Sequence, residues 1–233
     1  MVFYDQLGCG RSDCPDETQR WRLPRFVAEI DYVRRALQLE RLVLLGQSWG
    51  GMLALEYSLT RPSGLKGMIL ANSLASVSLF ENEVHRLRSL LPAAVQATLD
   101  RHEAEGTTDS AEYQSAMKVF YGRHVVRTQP IPDFVQHSFD HIGQPYRVMW
   151  GPSELKVTGN LKGWDCSSRL REVDLPVLLI SGEHDESTPL VNRSMKDGIR
   201  GAQWVLLEGC SHLAHVEAPE RFSQAVRDFL ARL

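Results

Sequence analysis

A serine set between glycines, Gly46-Gln47-Ser48-Trp49-Gly50, follows the apolar run Leu42–Leu45 and precedes the almost continuously apolar stretch Met52–Leu59. A G-x-S-x-G pattern between a strand and a helix is a nucleophile elbow. The glycines are needed because the turn is so tight that side chains there would collide with neighbouring backbone. Such a turn lifts the Ser48 hydroxyl to the strand end and leaves the Trp49 N–H facing a developing oxyanion. An ordinary Gly-rich strand-to-helix turn is the bland alternative, and the flanking pattern speaks against it.

A serine hydroxyl attacks only when a base takes its proton, so a histidine and an orienting carboxylate must follow. The order Ser, acid, His suits this fold type. Asp185 lies in Ser181-Gly182-Glu183-His184-Asp185-Glu186, just past the apolar run Val177–Ser181, and His212 lies in Glu208-Gly209-Cys210-Ser211-His212, just past Trp204–Leu207. Both positions follow the C-terminal ends of strands, where open α/β sheets gather their ligands. Their separation of 27 residues leaves room for one helix and one strand. The rivals are His215 for the base and Glu183 for the acid. His184 adjoins Asp185 and so cannot converge with it on a third group. His85, His102, His124, His137 and His141 are read as solvated or satisfied by their surroundings.

These loops need a scaffold. Five short apolar runs without clean alternation (Val2–Tyr4, Leu42–Leu45, Met68–Ala71, Val177–Ser181, Trp204–Leu207) predict strands buried on both faces of a mostly parallel sheet. Phe26, Ile30, Val33 and Leu37 mark one face of a helix opening near Pro24. Phe222, Ala225, Val226, Phe229 and Leu230 mark a closing amphipathic helix. Between the third run and the fourth lies a stretch of roughly ninety residues, about Val77 to Trp164, far more than a strand–helix unit needs. Their apolar spacing is helical: Val84, Leu87, Leu90, Leu91; Tyr113, Met117, Phe120, Tyr121; Phe134, Phe139. The predicted organisation is a core in two parts, 1–76 and 165–233, with a helical lid at 77–164.

The 233 residues carry 26 Lys+Arg against 29 Asp+Glu, a net charge of −3, which argues against a nucleic-acid partner held by phosphate attraction. With 43 % hydrophobic and 24 % charged residues the chain reads as a globule, not a fibre or a disordered segment. No apolar run reaches the ~18 residues of a membrane span, and no signal-peptide pattern opens the chain. Cys9, Cys14, Cys166 and Cys210 are too scattered for a disulfide framework or a zinc cluster. The expectation is a reduced, cytoplasmic protein with no membrane partner, no metal and no organic cofactor.

Val2-Phe3-Tyr4-Asp5-Gln6-Leu7-Gly8-Cys9-Gly10-Arg11-Ser12, the Gly-Gln-Ser-Trp-Gly-Gly elbow, Gly151-Pro152-Ser153-Glu154, Gly182-Glu183-His184-Asp185-Glu186 and Cys210-Ser211-His212 together resemble the proline iminopeptidase family of the α/β-hydrolase superfamily. The resemblance spans essentially the whole chain. It implies an α/β-hydrolase core with an inserted helical lid, and matches Ser48, Asp185 and His212 to nucleophile, orienting acid and base. It also matches Glu154 and Glu186 to acids that bind a substrate amino group. The physics agrees: a substrate without an ammonium leaves two like charges desolvated together. Trp150, Phe120 and Phe139 are candidates to wall an apolar pocket, or simply lid core.

One family feature is missing. A His-Gly-Gly-Pro-Gly-type loop, which supplies the second oxyanion N–H, has no counterpart, since Gly50-Gly51 is the sole Gly-Gly. The resemblance therefore implies an N-terminally shortened core with unpaired sheet edges, either a shortened form of a longer enzyme or a short paralogue. The leading functional expectation is a serine aminopeptidase releasing N-terminal proline, or another small residue, from short peptides through an acyl-enzyme. The alternatives are an amino-acid amide hydrolase, an esterase or carbon–carbon bond hydrolase, and a turnover-deficient binding remnant.

Overall fold

The computed structural model describes residues 1–16 and 20–233. Among them, four strands form one sheet in the order β1 (Leu42–Gln47), β2 (Leu65–Ala71), β3 (Val177–Gly182) and β4 (Gln203–Leu207). Every ladder is parallel. A parallel sheet has both faces covered, and alternation along the strands divides its side chains between two cores. Met68, Leu70, Val177 and Leu179 pack with Ala54 and Leu55 of α2 (Trp49–Leu59) and with Met195 of α8 (Pro189–Gly198). On the other face Ile69, Ala71, Leu178 and Ile180 meet Phe222, Val226 and Phe229 of α10 (Pro219–Leu230). Met52, Leu53 and Tyr57 of α2 turn away from the sheet to a third core, which they share with Phe26 and Ile30 of α1 (Leu23–Ala36). Packing on two sides is why α2 is apolar nearly all round.

Between β2 and β3 run α3 (Val77–Arg88), α4 (Ala93–Glu105), α5 (Ala111–His124), α6 (Asp133–Asp140) and α7 (Gly143–Met149). Phe80, Val84, Leu87, Leu99, Tyr113, Met117 and Phe120 bury into the core that also holds α1. Leu90 and Phe134, predicted to face inward, are exposed, as is Leu37, which caps α1 instead of continuing it. Among the described residues no helix is long and apolar enough to cross a membrane.

The strand predicted at Val2–Tyr4 does not form: these residues are 49 %, 85 % and 39 % exposed and belong to no ladder. Here the sheet ends at β1, whose Leu45 is 44 % exposed. The segment that follows instead folds against the elbow, where Gln6 Oε1 accepts from Trp49 Nε1 at 3.0 Å and the Leu7 N–H donates to Glu29 at 3.0 Å.

The strands end nearly in register. Gln47 stands opposite Ala71, Ala71 opposite Ile180, and Gly182 opposite Leu207. The loops leaving all four strands therefore open on one rim of the sheet.

Candidate active site

Ser48 sits at that rim with φ 52° and ψ −118°, a left-handed conformation a serine adopts only under constraint. Its N–H donates to Ala71 O at 2.9 Å, and its carbonyl accepts from Ser73 Oγ at 2.9 Å. A Cβ on Gly46 would meet the Gly50 carbonyl, and one on Gly51 would meet the Ser73 side chain, both far closer than 3.0 Å. Gly46→Ala is accordingly expected to abolish activity and lower the unfolding midpoint by several degrees, because backbone cannot move aside as a flexible side chain would. Thermal unfolding followed by circular dichroism checks this. Trp49 opens α2, and a helix leaves its first N–H groups without intrahelical partners.

Asp185 follows β3 and is buried. Its Oδ1 accepts from His212 Nδ1 at 2.8 Å and from the Ser187 N–H at 2.8 Å. His212 follows β4, and its carbonyl accepts from the Gln47 side chain at 3.3 Å, joining its loop to the residue before Ser48. The elbow, the acid and the histidine thus come together on one rim. Of the rivals, His215 is exposed in the short α9 (Ala214–Glu217) with its ring against Phe222, and Glu183 is exposed and accepts from the Gly209 N–H at 2.9 Å.

Both family-implied acids reach the same place. Glu186 is 1 % exposed, its Oε1 lies 3.8 Å from His212 Nε2, and its buried Oε2 has no hydrogen-bond partner. Glu154 accepts from the Tyr146 hydroxyl at 2.7 Å. Burial and then the nearby charge of Glu154 push the Glu186 carboxyl well above its ordinary range. Burial also raises Glu154, opposed by the Tyr146 hydrogen bond and by His212. At His212 burial alone would lower the pKa, but the charges of Asp185, Glu186 and Glu154 lift it to about 9. Burial, with Glu154 and Glu186 nearby, drives the Tyr121 and Tyr146 hydroxyls well above their usual range, so both remain neutral phenols.

Sequence reasoning missed four residues that brace these loops. Asn72, after β2, donates to Asp185 Oδ2 at 2.7 Å. The backbone carbonyl of His124, at the end of α5, accepts from the N–H of Glu186 at 3.3 Å and of His212 at 3.1 Å, and that of Val125 accepts from Leu213 at 2.9 Å. Glu217 accepts from the Ser211 N–H and from Ser211 Oγ at 2.7 Å, anchoring the turn before His212. Asn72 carried a faint signal, an amide directly after a strand; a bond to a backbone carbonyl leaves no trace in residue identity. The aromatic candidates are chiefly packing: Trp150 and Phe120 are buried, and Trp150 lies edge-on to Phe80.

A parallel sheet with a strained serine after one strand, a buried acid after another and a histidine bonded to that acid defines an α/β-hydrolase, and residues 1–219 match the α/β-hydrolase fold family. The proline iminopeptidase of Heyndrickxia coagulans is 40 % identical over 233 residues, covering 99 % of this chain and 81 % of that protein. That of Saccharolobus solfataricus is 33 % identical over 99 % of this chain and 75 % of its own length. Among solved structures, VinJ superposes with a TM-score of 0.96 at 40 % identity, covering 99 % of this chain and 80 % of that one. The proline iminopeptidase of Mycobacterium smegmatis gives 0.89 at 41 % identity, with 97 % and 77 % covered. The chain belongs to the proline iminopeptidase family.

Proposed function

We propose that this chain is a serine aminopeptidase that releases N-terminal proline from short peptides. The observation that carries the reading is the buried, partnerless Oε2 of Glu186 beside His212. A carboxylate oxygen held away from water with no donor is costly unless a ligand supplies one. The secondary ammonium of an N-terminal proline supplies two N–H donors and a positive charge between Glu186 and Glu154. A blocked amino group supplies neither.

In the proposed mechanism His212 Nε2 takes the Ser48 hydroxyl proton while Oγ attacks the carbonyl carbon of the first residue. Asp185 holds Nδ1–H and stabilises the imidazolium that forms. The Trp49 N–H donates to the oxyanion. Collapse breaks the C–N bond, and the imidazolium passes its proton to the leaving amine. Water, deprotonated by the same imidazole, then hydrolyses the acyl ester. Residues 77–164 act as the lid, placing Glu154 and Tyr146 over the pocket.

Turnover of proline arylamide and N-acetylproline arylamide tests the reading. The free-amine substrate is expected to be at least ~10³-fold faster in kcat/KM, as for a buried polar group left unpaired. Equal rates would remove the amine-binding role.

A pH dependence follows. His212 is raised to about 9 by three carboxyl neighbours, so in the free protein it is protonated below that pH and cannot act as a base. A bound ammonium offsets the charges of Glu154 and Glu186 and lets the proton leave more easily. The acidic limb of kcat, which reports the complex, is therefore expected to lie below that of kcat/KM by roughly a unit. Coincident limbs in the two profiles would place the ammonium elsewhere.

A further inference from the structure

Two adjacent strands each end in a non-glycine residue with left-handed backbone: Ser48 (φ 52°) after β1 and Asn72 (φ 50°) after β2. The elbow accounts for the first; the mechanism above does not use the second. Asn72 is fully buried, and its N–H donates to Ile180 O at 2.7 Å, fixing it to β3. Its side-chain Nδ2 makes two bonds, to Asp185 Oδ2 at 2.7 Å and to the Ser211 carbonyl at 3.2 Å. One amide group thus spans the loop that carries the acid and the residue preceding the histidine. Asp185 Oδ1 is occupied by His212 Nδ1 and the Ser187 N–H, and Asn72 holds the other oxygen. The Asn72 Oδ1 has no hydrogen-bond partner. An asparagine that merely shapes a turn uses that oxygen to accept from the chain two residues on; here only the donor end is engaged.

We infer that Asn72 is a positioning residue, whose amide sets the plane of the Asp185 carboxylate against the His212 Nδ1–H and ties the acid and base loops to a common point. This inference rests on the reading of Ser48, His212 and Asp185 as a triad. Residue type fits role. Asparagine tolerates left-handed backbone better than most side chains and donates to a carboxylate without adding charge. Aspartate here would set two carboxyl oxygens at hydrogen-bond distance, forcing them to share a proton. The other titratable groups facing His212 are Glu186 on the loop of Asp185 after β3, Glu154 beyond α7, and His215 on α9. All are unchanged in the variants below, so a shift reports the Asn72 contact.

The test is the rate at which a fluorophosphonate probe labels the serine, measured against pH for the full chain, Asn72→Gly, Asn72→Ala and Ser48→Ala. Glycine relieves the left-handed backbone and removes the amide; alanine removes the same donor without adding backbone freedom and serves if the glycine variant fails to fold. Without the amide donor the Asp185 charge holds the His212 proton more tightly. In both variants the acidic limb is expected to move upward by roughly half a pH unit or more, with a plateau rate about ten- to a hundredfold lower. A folded variant whose limb stays with the parent's overturns the inference, whatever its plateau, because loss of scaffold alone scales the rate without moving the limb. If Ser48→Ala labels as fast as the parent, the triad reading falls and this proposal with it. If Ser48→Ala is silent while both Asn72 variants keep the parent's limb, the triad stands and only this proposal fails.

Discussion

Ser48→Ala is expected to lower kcat for proline arylamide by about 10⁵–10⁶-fold while leaving KM and the unfolding midpoint close to those of the parent. The magnitude is that of removing a nucleophile on which a base and an orienting acid both depend; what survives is catalysis by binding and by oxyanion donors. Stability should change little because alanine inherits the same φ of 52° and the same backbone bonds, Ser48 N–H to Ala71 and Ser73 Oγ to the Ser48 carbonyl. Steady-state kinetics with matched thermal unfolding make the check. Residual activity above a thousandth of the parent's would mean that another group attacks the substrate.

The second large effect is a pair of opposite signs. Glu186→Gln is expected to cut kcat/KM for the free-amine substrate by about 10²–10³-fold, since truncating one partner of a buried charge contact typically costs 2–5 kcal/mol. The same variant is expected to be more stable by about 1–3 kcal/mol. It removes a buried carboxylate whose Oε2 lacks a partner and whose pKa is already pushed up by burial and by Glu154. Chemical denaturation and kinetics on one preparation decide the matter. A variant losing both stability and activity would make Glu186 part of the scaffold.

The order of the proposed catalytic residues was legible because it is written in local pattern. A strand-length apolar run, a Gly-flanked serine and a buried helix sit side by side, and Asp185 and His212 each follow a run that became β3 or β4. Glu154 and Glu186 carry no such local signature; only resemblance pointed to them. The failures are equally physical. Val2–Tyr4 has a strand's composition, but pairing depends on a neighbour, which a one-dimensional pattern does not contain. Leu90 and Phe134 fit helical spacing yet face outward, since spacing defines a stripe without saying what covers it. Asn72 and the His124 and Val125 carbonyls act through contacts that tertiary structure alone creates, across 113 residues between Asn72 and Asp185.

The seam formed by those two carbonyls has a consequence for how the molecule breathes. The end of α5 is laced to Glu186, His212 and Leu213 through main-chain bonds, so this helix end and the loops after β3 and β4 share one patch. A fluctuation that frays the end of α5 loosens Glu186 and His212 together. The amide protons of residues 186, 212 and 213 should then trade with solvent deuterium at a common pace.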